Sequence, residues 1–309
     1  MNDKIQSAIK KRKQDKKSIL NLSFSDFTAF PSLFDEKKIQ RSLVNIYKYP
    51  YYYPHSKGTL ETRQLISEYY HNKKQNIQPE NIIACATKPE ALSYLFRIFA
   101  SLNREALIPI TRDPHLKEIT EFVGLRTKNY RLNKNGKINF EVLEKQINKQ
   151  TSLLFIQNPH FPTGATYQED EFKKLLSIAE KHDLCIICDE AMIEYSHLKS
   201  PVRSIIDMAK SNQLLITVNS IKHHFALPGL KLAWMTFQGK TKTVSEYVNA
   251  VEYLADNFLN LNHLTETILP EIFDFSKKYR KQLIKHIRKN AEYAKSKLSE
   301  SEKISVTPS

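Results

Sequence analysis

Glycine is scarce in this chain. Only 6 of the 309 residues are glycine, against a usual share of about 7%. Wherever the backbone must turn through positive φ or approach a ligand closely, few residues can serve. Cysteine is also rare. Cys85, Cys185 and Cys188 make an odd number, and each sits in an apolar run. That pattern argues against a disulfide framework and for reduced core thiols in a cytoplasmic protein. "CIIC" has CxxC spacing, yet no second pair completes a zinc site. No apolar run approaches the roughly 18 residues of a membrane span, and no hydrophobic segment follows the basic N-terminus. Neither a secretory signal nor a transmembrane helix is expected. Acidic residues are in deficit, with 33 Asp and Glu against 47 Lys and Arg and a net charge of +14. Such an excess attracts polyanions in a salt-sensitive way. The basic residues are spread along the chain, however, and no motif of a nucleic-acid-binding module appears, so specific nucleic-acid recognition is not expected. The densest run, "KKRKQDKK", reads as a solvated helix start or a frayed arm.

What is present is an alternation of strand-like and helix-like segments. The chain is 41% hydrophobic, enough for one large core or a large domain plus a small one. "NIIACA" (81–86), "EALIPI" (105–110), "TSLLFIQ" (151–157), "LCIIC" (184–188) and "QLLITV" (213–218) are short apolar runs. Between them, "KPEALSYLFRIFASL", "HLKEITEFVG" and "QEDEFKKLLSIAEKH" carry helical apolar spacing. A further strand-like run, "LKLAWMTF", follows a Pro-Gly turn, and from about Lys240 the chain reads as helical. "KKYRKQLIKHIRKNAEYAKSKL" reads as one long helix. Alternation of this kind predicts an α/β fold with a mostly parallel central sheet and helices on both faces.

In open α/β sheets ligands bind beyond the carboxyl ends of the strands. Three such ends are distinctive: "NPHFPTG" (158–164), "DE" (Asp189–Glu190) and "SIKHHFALPGLK" (220–231). In that order, with "YPHSKGTLETR" and "PEALSYLF" upstream, they resemble the class I/II aminotransferases, pyridoxal-phosphate (PLP) enzymes of fold type I. Any one of these motifs is weak; six in order, counting the serine–lysine and the Gly-x-Arg parts of "SIKHHFALPGLK" separately, are strong. The resemblance runs from about Leu20 onward. It implies an N-terminal arm and part of a small domain over 1–48, a large α/β domain over 49–272, and over 273–309 a linking helix with an incomplete start of the C-terminal small domain. It implies amino group transfer between an amino acid and a 2-oxo acid, in a homodimer. Asp189 matches the aspartate that pairs with the pyridine nitrogen, a carboxylate that keeps the ring cationic; taken alone it could simply cap a strand end. Asn158, Ser220, Lys231, Thr87 and Lys88 fall at cofactor-contacting positions. Tyr53 resembles a tyrosine that reaches the phosphate held by the neighbouring subunit, although a tyrosine in "YKYPYYYP" also suits packing.

The departures from the pattern are as specific as the matches. Phe161 stands where an asparagine would bond the PLP phenolate oxygen, and Met192 where a tyrosine would. The phosphate cup has become "TKP", and Pro89 has no amide hydrogen to offer. The stacking aromatic falls on Asp113, and a substrate-side glycine on Ser25. In the family the Schiff-base lysine precedes a phosphate-binding arginine by eight residues. Lys231 takes the arginine position, so an ungapped count puts His223 in place of the lysine. Imidazole can act as a base but cannot form the internal aldimine. A one-residue bulge would bring Lys222 into the site instead. The basic residues of this loop also suit plain solvation. Two functions follow as expectations. One is an aminotransferase using Lys222. The other is a non-catalytic pseudo-aminotransferase that binds PLP weakly or not at all and acts as a binding or partner subunit. The arginine that clamps the substrate carboxylate belongs to the incomplete small domain and has no counterpart here.

Overall fold

The computed structural model describes residues 3–18, 37, 40–44, 54–110, 113–195, 201–209, 212–224, 227, 229–258 and 261–301. Met1–Leu33 and Phe34–Ser309 are separate units. In the first, helix α1 (Asp3–Gln14) carries Lys11, Arg12 and Lys13 in its last turn. Cations there meet the negative end of the helix dipole, and the basic run is indeed largely solvent-exposed.

The second unit runs α2 (Leu60–His71), β1 (Ile82–Cys85), α3 (Lys88–Ser101), β2 (Glu105–Pro109), α4 (Pro114–Phe122), β3 (Arg126–Tyr130), α5 (Phe140–Gln146), β4 (Thr151–Gln157), α6 (Glu169–Lys181), β5 (Cys185–Asp189), β6 (Leu215–Ser220), α7 (Ile221–His224), β7 (Ala233–Gln238), α8 (Thr241–Asp256) and α9 (His263–Leu298). Among the described residues these strands form one sheet in the order β1-β7-β6-β5-β4-β2-β3. The β3-β2-β4-β5-β6 run is parallel, whereas β7 is antiparallel to both β6 and β1. The mostly parallel α/β sheet expected from the alternation is what forms.

Burial explains the continuous apolar runs. Leu153, Leu154, Phe155 and Ile156 of β4 are all fully buried, as a strand covered on both faces requires. Residues from α3, α4 and α8 pack with Phe155, Ile187 and Val218 on one face. Residues from α5 and α6 pack with Leu154, Ile156 and Cys188 on the other. Towards the β1–β7 edge that second face is covered by α2 and α9, around Ile66, Tyr70, Trp234 and Leu269. The Tyr70 hydroxyl there accepts hydrogen bonds from Asn219 Nδ2 (3.1 Å) and Trp234 Nε1 (3.0 Å). Cys185 and Cys188 are both buried free thiols and belong to opposite sheet faces, so the CxxC spacing joins nothing.

One of the few glycines sits at a close crossing. Gly58 has φ +79°, and a Cβ on it would come within 2.9 Å of Ala84 Cβ. The neighbouring Lys57 carbonyl accepts from Ala84 N at 2.9 Å. An L side chain there would be both strained and crowded.

Two features differ from the sequence reading. Strand β3 is the polar segment "RTKNY", with Tyr130 buried and Arg126 exposed. Among the described residues it pairs only with β2, at the end of the strand order. The long C-terminal helix starts at His263 and runs through Pro270, earlier than its charged repeat suggests. Among the described residues no helix is long and apolar enough to cross a membrane, and no cluster of metal-ligating side chains occurs.

Candidate functional site

The carboxyl ends of β4, β5 and β6 set the site. Gln157 lies opposite Asp189 in register, and Asp189 opposite Val218. Side chains alternate along a strand. Phe155, Ile187 and Val218 pack on the face covered by α3, so Gln157, Asp189 and Ser220 belong to that same face. Helix α3 begins directly after β1 with Pro89 in its first turn and a capping box. Thr87 Oγ1 accepts from Glu90 N at 3.3 Å, while Glu90 Oε2 accepts from Ala86 N (2.9 Å) and Thr87 N (3.2 Å). Reciprocal capping of this kind fixes the first turn and the direction of its side chains.

That turn delivers Lys88 into the strand ends. Its Nζ lies 2.7 Å from Asp189 Oδ2, with Lys88 17% and Asp189 5% exposed. The same Oδ2 accepts from Gln157 Nε2 at 2.9 Å, and Oδ1 accepts from Ala191 N at 3.0 Å. Burial alone would raise the Asp189 carboxyl. The Lys88 charge and the three donors outweigh it and hold the group below the usual aspartate range. Burial likewise works against the Lys88 ammonium, but the Asp189 carboxylate, aided by Asp113, raises it above the ordinary lysine value. Both groups are therefore charged at neutral pH, and each is the other's partner. Gln157 Oε1 is buried beside them and has no hydrogen-bond partner among the described residues.

The remaining candidates are placed as follows. Asn158 is fully buried; its Nδ2 donates to Arg203 O (2.8 Å) and its Oδ1 accepts from Tyr167 N (3.2 Å). Ser220 is buried at the end of β6, opposite Ala233. Lys222 is exposed on the short helix α7, and Lys231 is exposed just before β7. The ladder closes across this loop through Ile221 N to Leu232 O, at 2.9 Å. Only the backbone of His223 is described, and it is helical. Tyr53 and Ser25 lie outside the described residues. Phe161 is 43% exposed and Met192 half-buried. Asp113 caps α4, accepting from His115 N at 3.0 Å.

Gln157 escapes the sequence reading, and Glu190 enters it only as the second residue of the Asp-Glu motif. Gln157 is the last residue of a buried run, and only its register with Asp189 reveals it. Glu190, next in chain, points to the other sheet face. It is 1% exposed and accepts from Ser204 Oγ (2.8 Å) and Ile205 N (2.9 Å). Burial pushes its carboxyl up to about 7, against the lowering effect of those donors. Two clefts lie elsewhere. One of about 650 Å³ opens at the amino ends of the strands, lined by Arg104, Lys149, Ser152 and Lys240 among others. The other, about 750 Å³, lies between α2 and α9. Neither is lined by Asp189.

Comparison with known proteins accords with this geometry. The family model described as "Aminotransferase class I and II" matches residues 50–309. Tyrosine aminotransferase of Mus musculus is 24% identical over 227 residues, covering 71% of this chain and 49% of that protein. Histidinol-phosphate aminotransferase of a Hydrogenobaculum species is 29% identical over 143 residues, 46% of this chain and 38% of that protein. Among solved structures, an alanine aminotransferase from Pyrococcus furiosus superposes with a TM-score of 0.85 at 23% identity, over 97% of this chain and 77% of that one. An aspartate aminotransferase from Thermotoga maritima gives 0.83 at 16% identity, over 96% and 77%. The fold is thus that of the fold type I transferases. The chain spans about half the length of the curated tyrosine aminotransferase it matches.

Proposed function

Because the chain belongs to the class I and II aminotransferase family, we propose that it is a non-catalytic member, a pseudo-aminotransferase serving as a binding or partner subunit. One observation carries this reading: the lysine nearest the Schiff-base position, Lys222, is exposed, whereas Asp189 is buried and already paired. Lys222 stands two residues past the end of β6, and the ammonium that meets Asp189 is that of Lys88.

PLP is the cofactor this family typically uses, and its fit can be tested against the residues present. Asp189 Oδ2 already accepts from Lys88 and Gln157, and Oδ1 from Ala191 N. Both lone pairs of Oδ2 are therefore engaged, and a ring nitrogen directed at that oxygen must displace one of its donors. The spare group beside it, Gln157 Oε1, is an acceptor, while a phenolate oxygen needs donors. At the helix start the Ala86 and Thr87 amides are taken by Glu90, and Pro89 offers none. The residues do not fit the group in the arrangement the resemblance implies, and PLP binding is expected to be weak or lost.

The enzymatic reading keeps one favourable observation. Asp189 is ionised and buried at the end of β5, the state a carboxylate needs in order to keep a pyridine protonated. In that reading Lys222 carries PLP, Ser220, Lys231 and Tyr53 hold its phosphate, and the substrates are an amino acid and a 2-oxo acid. Borohydride reduction of PLP-treated protein, followed by peptide mass spectrometry, separates the two. The non-catalytic reading expects substoichiometric adducts scattered over exposed lysines and no amino transfer above background. A stoichiometric phosphopyridoxyl adduct on Lys222 would sink it.

A homodimer is proposed as the assembly, since family members are often dimers and the Tyr53 stretch resembles one that crosses such an interface. Light scattering at micromolar concentration should give about twice the chain mass. A monomer at every concentration would remove the shared-site argument. The buried free thiols suit a reducing, cytoplasmic setting.

A further inference from the structure

We propose that Lys88 is a built-in counter-cation for Asp189: its ammonium occupies the acceptor that a pyridinium ring would need, and the strand-end crevice becomes competent for such a ring only when that ammonium is removed. The proposal deepens the non-catalytic reading and rests on it. It adds which residue shuts the cofactor out.

The geometry is specific. Lys88 and Asp189 are 101 residues apart in sequence, yet Nζ and Oδ2 are 2.7 Å apart. The lysine is aimed by a helix start that is fixed on both sides, by Thr87 and Glu90 of the capping box and by Pro89 in the first turn. The pair is mostly buried, with 17% and 5% of the two side chains exposed. A buried ammonium on a carboxylate is a strong, short-range competitor for any other cation. Gln157 Nε2 on the same oxygen holds the carboxylate in the orientation that Lys88 meets. No other lysine among the described residues pairs with Asp189. A ring entering with its protonated nitrogen towards Asp189 would have to displace Nζ. The displaced lysine would then lose its partner in a place where burial already works against its charge.

The direct test needs no substitution. Reductive methylation of the native protein with formaldehyde and borane, followed by peptide mass spectrometry, reads the accessibility of each lysine. Lys88 should stay at least about tenfold less modified than exposed Lys222 and Lys231. Equal modification of Lys88 and Lys222 in folded protein would overturn the proposal. The second test uses Lys88→Ala with PLP as probe. Freeing one charged hydrogen-bond acceptor should tighten equilibrium PLP binding, followed by fluorescence, by about 10- to 100-fold. The gain should vanish in Lys88→Ala/Asp189→Ala. Ethylammonium, which fits the vacated amine position, should raise the melting temperature of Lys88→Ala and leave wild type unmoved. If Lys88→Ala fails to fold, Lys88→Met fills the space and is read in the same way with PLP. No gain in PLP affinity together with no ethylammonium response would overturn the proposal. An aldimine on Lys222 of wild type would defeat the non-catalytic reading, whereas methylation of Lys88 reports on the ion pair alone, so the two failures are distinguishable.

Discussion

Asp189→Ala should destabilise the protein by about 3–5 kcal/mol, the range expected when one partner of a buried ion pair is removed. Three losses combine. Lys88 keeps a charge with only 17% of its side chain exposed. Gln157 Nε2 and the Ala191 amide lose their acceptor, and an unsatisfied buried donor costs about 1–3 kcal/mol. The double replacement Lys88→Met/Asp189→Leu should recover a large part of the loss, because it leaves no charge buried alone. The measurement is a double-mutant cycle from urea unfolding at pH 7. Strictly additive changes, or an Asp189→Ala effect below about 1 kcal/mol, would mean that the pair is solvated and not structural. The pH profile has a definite sign. Asp189 is held below its ordinary value, so its contribution is present above the unfolded pKa and is lost as pH falls through the folded one.

Glu190→Gln should act in the opposite sense. The folded carboxyl stands at about 7 against an ordinary 4.5, so the native state binds the proton more tightly than the unfolded chain does. Stability is then undiminished below about pH 4.5 and falls as pH rises to about 7. At about 1.4 kcal/mol per pH unit separating the two values, the penalty reaches on the order of 3 kcal/mol above pH 7. Glutamine can accept from Ile205 N and donate to Ser204 Oγ, the partners of the native carboxylate. The variant should therefore gain melting temperature at pH 8, with little change at pH 4.5. Melts at several pH values check this, and parallel wild-type and variant curves would contradict it. The groups that bear on Glu190 include Ser204, the Ile205 amide, Lys73, Asp207 and the Tyr70 hydroxyl, with the Cys188 thiol nearby. None changes in the variant, so the difference isolates Glu190.

Much of the fold could be read from local pattern. The five apolar runs became β1, β2, β4, β5 and β6 because each is buried on both faces, and burial on both faces is written directly as composition. Strand β3 could not be read in that way. An edge strand needs little apolar surface, and "RTKNY" forms because β2 offers an open ladder. The reversal of β7 is also absent from its own residues. A continuous apolar run carries no direction; the link from Ser220 back to Ala233 sets it. Helix α9 extends through Pro270, where a proline would ordinarily suggest a boundary. At the site, Asp189 was legible because strand-end position and motif coincide. Its partner was not. Its neighbours in sequence place Lys88 in the "TKP" of the phosphate cup. Its contact with Asp189 exists only because β1 and β5 are brought to the same end of one sheet.

The Tyr70–Trp234–Asn219 contact also makes the protein its own optical instrument. Trp234 is the single tryptophan of the chain and is wholly shielded from water. Every photon of indole emission therefore originates from one place, on the strand that runs beside β6 and directly opposite Asn219, one residue before Ser220. The emission should be blue-shifted in the native state, and its red shift on unfolding follows the separation of α2 from the sheet. A chromophore absorbing in the near ultraviolet and lodged at the strand ends would quench it by energy transfer, so occupancy of the crevice can be followed without any label.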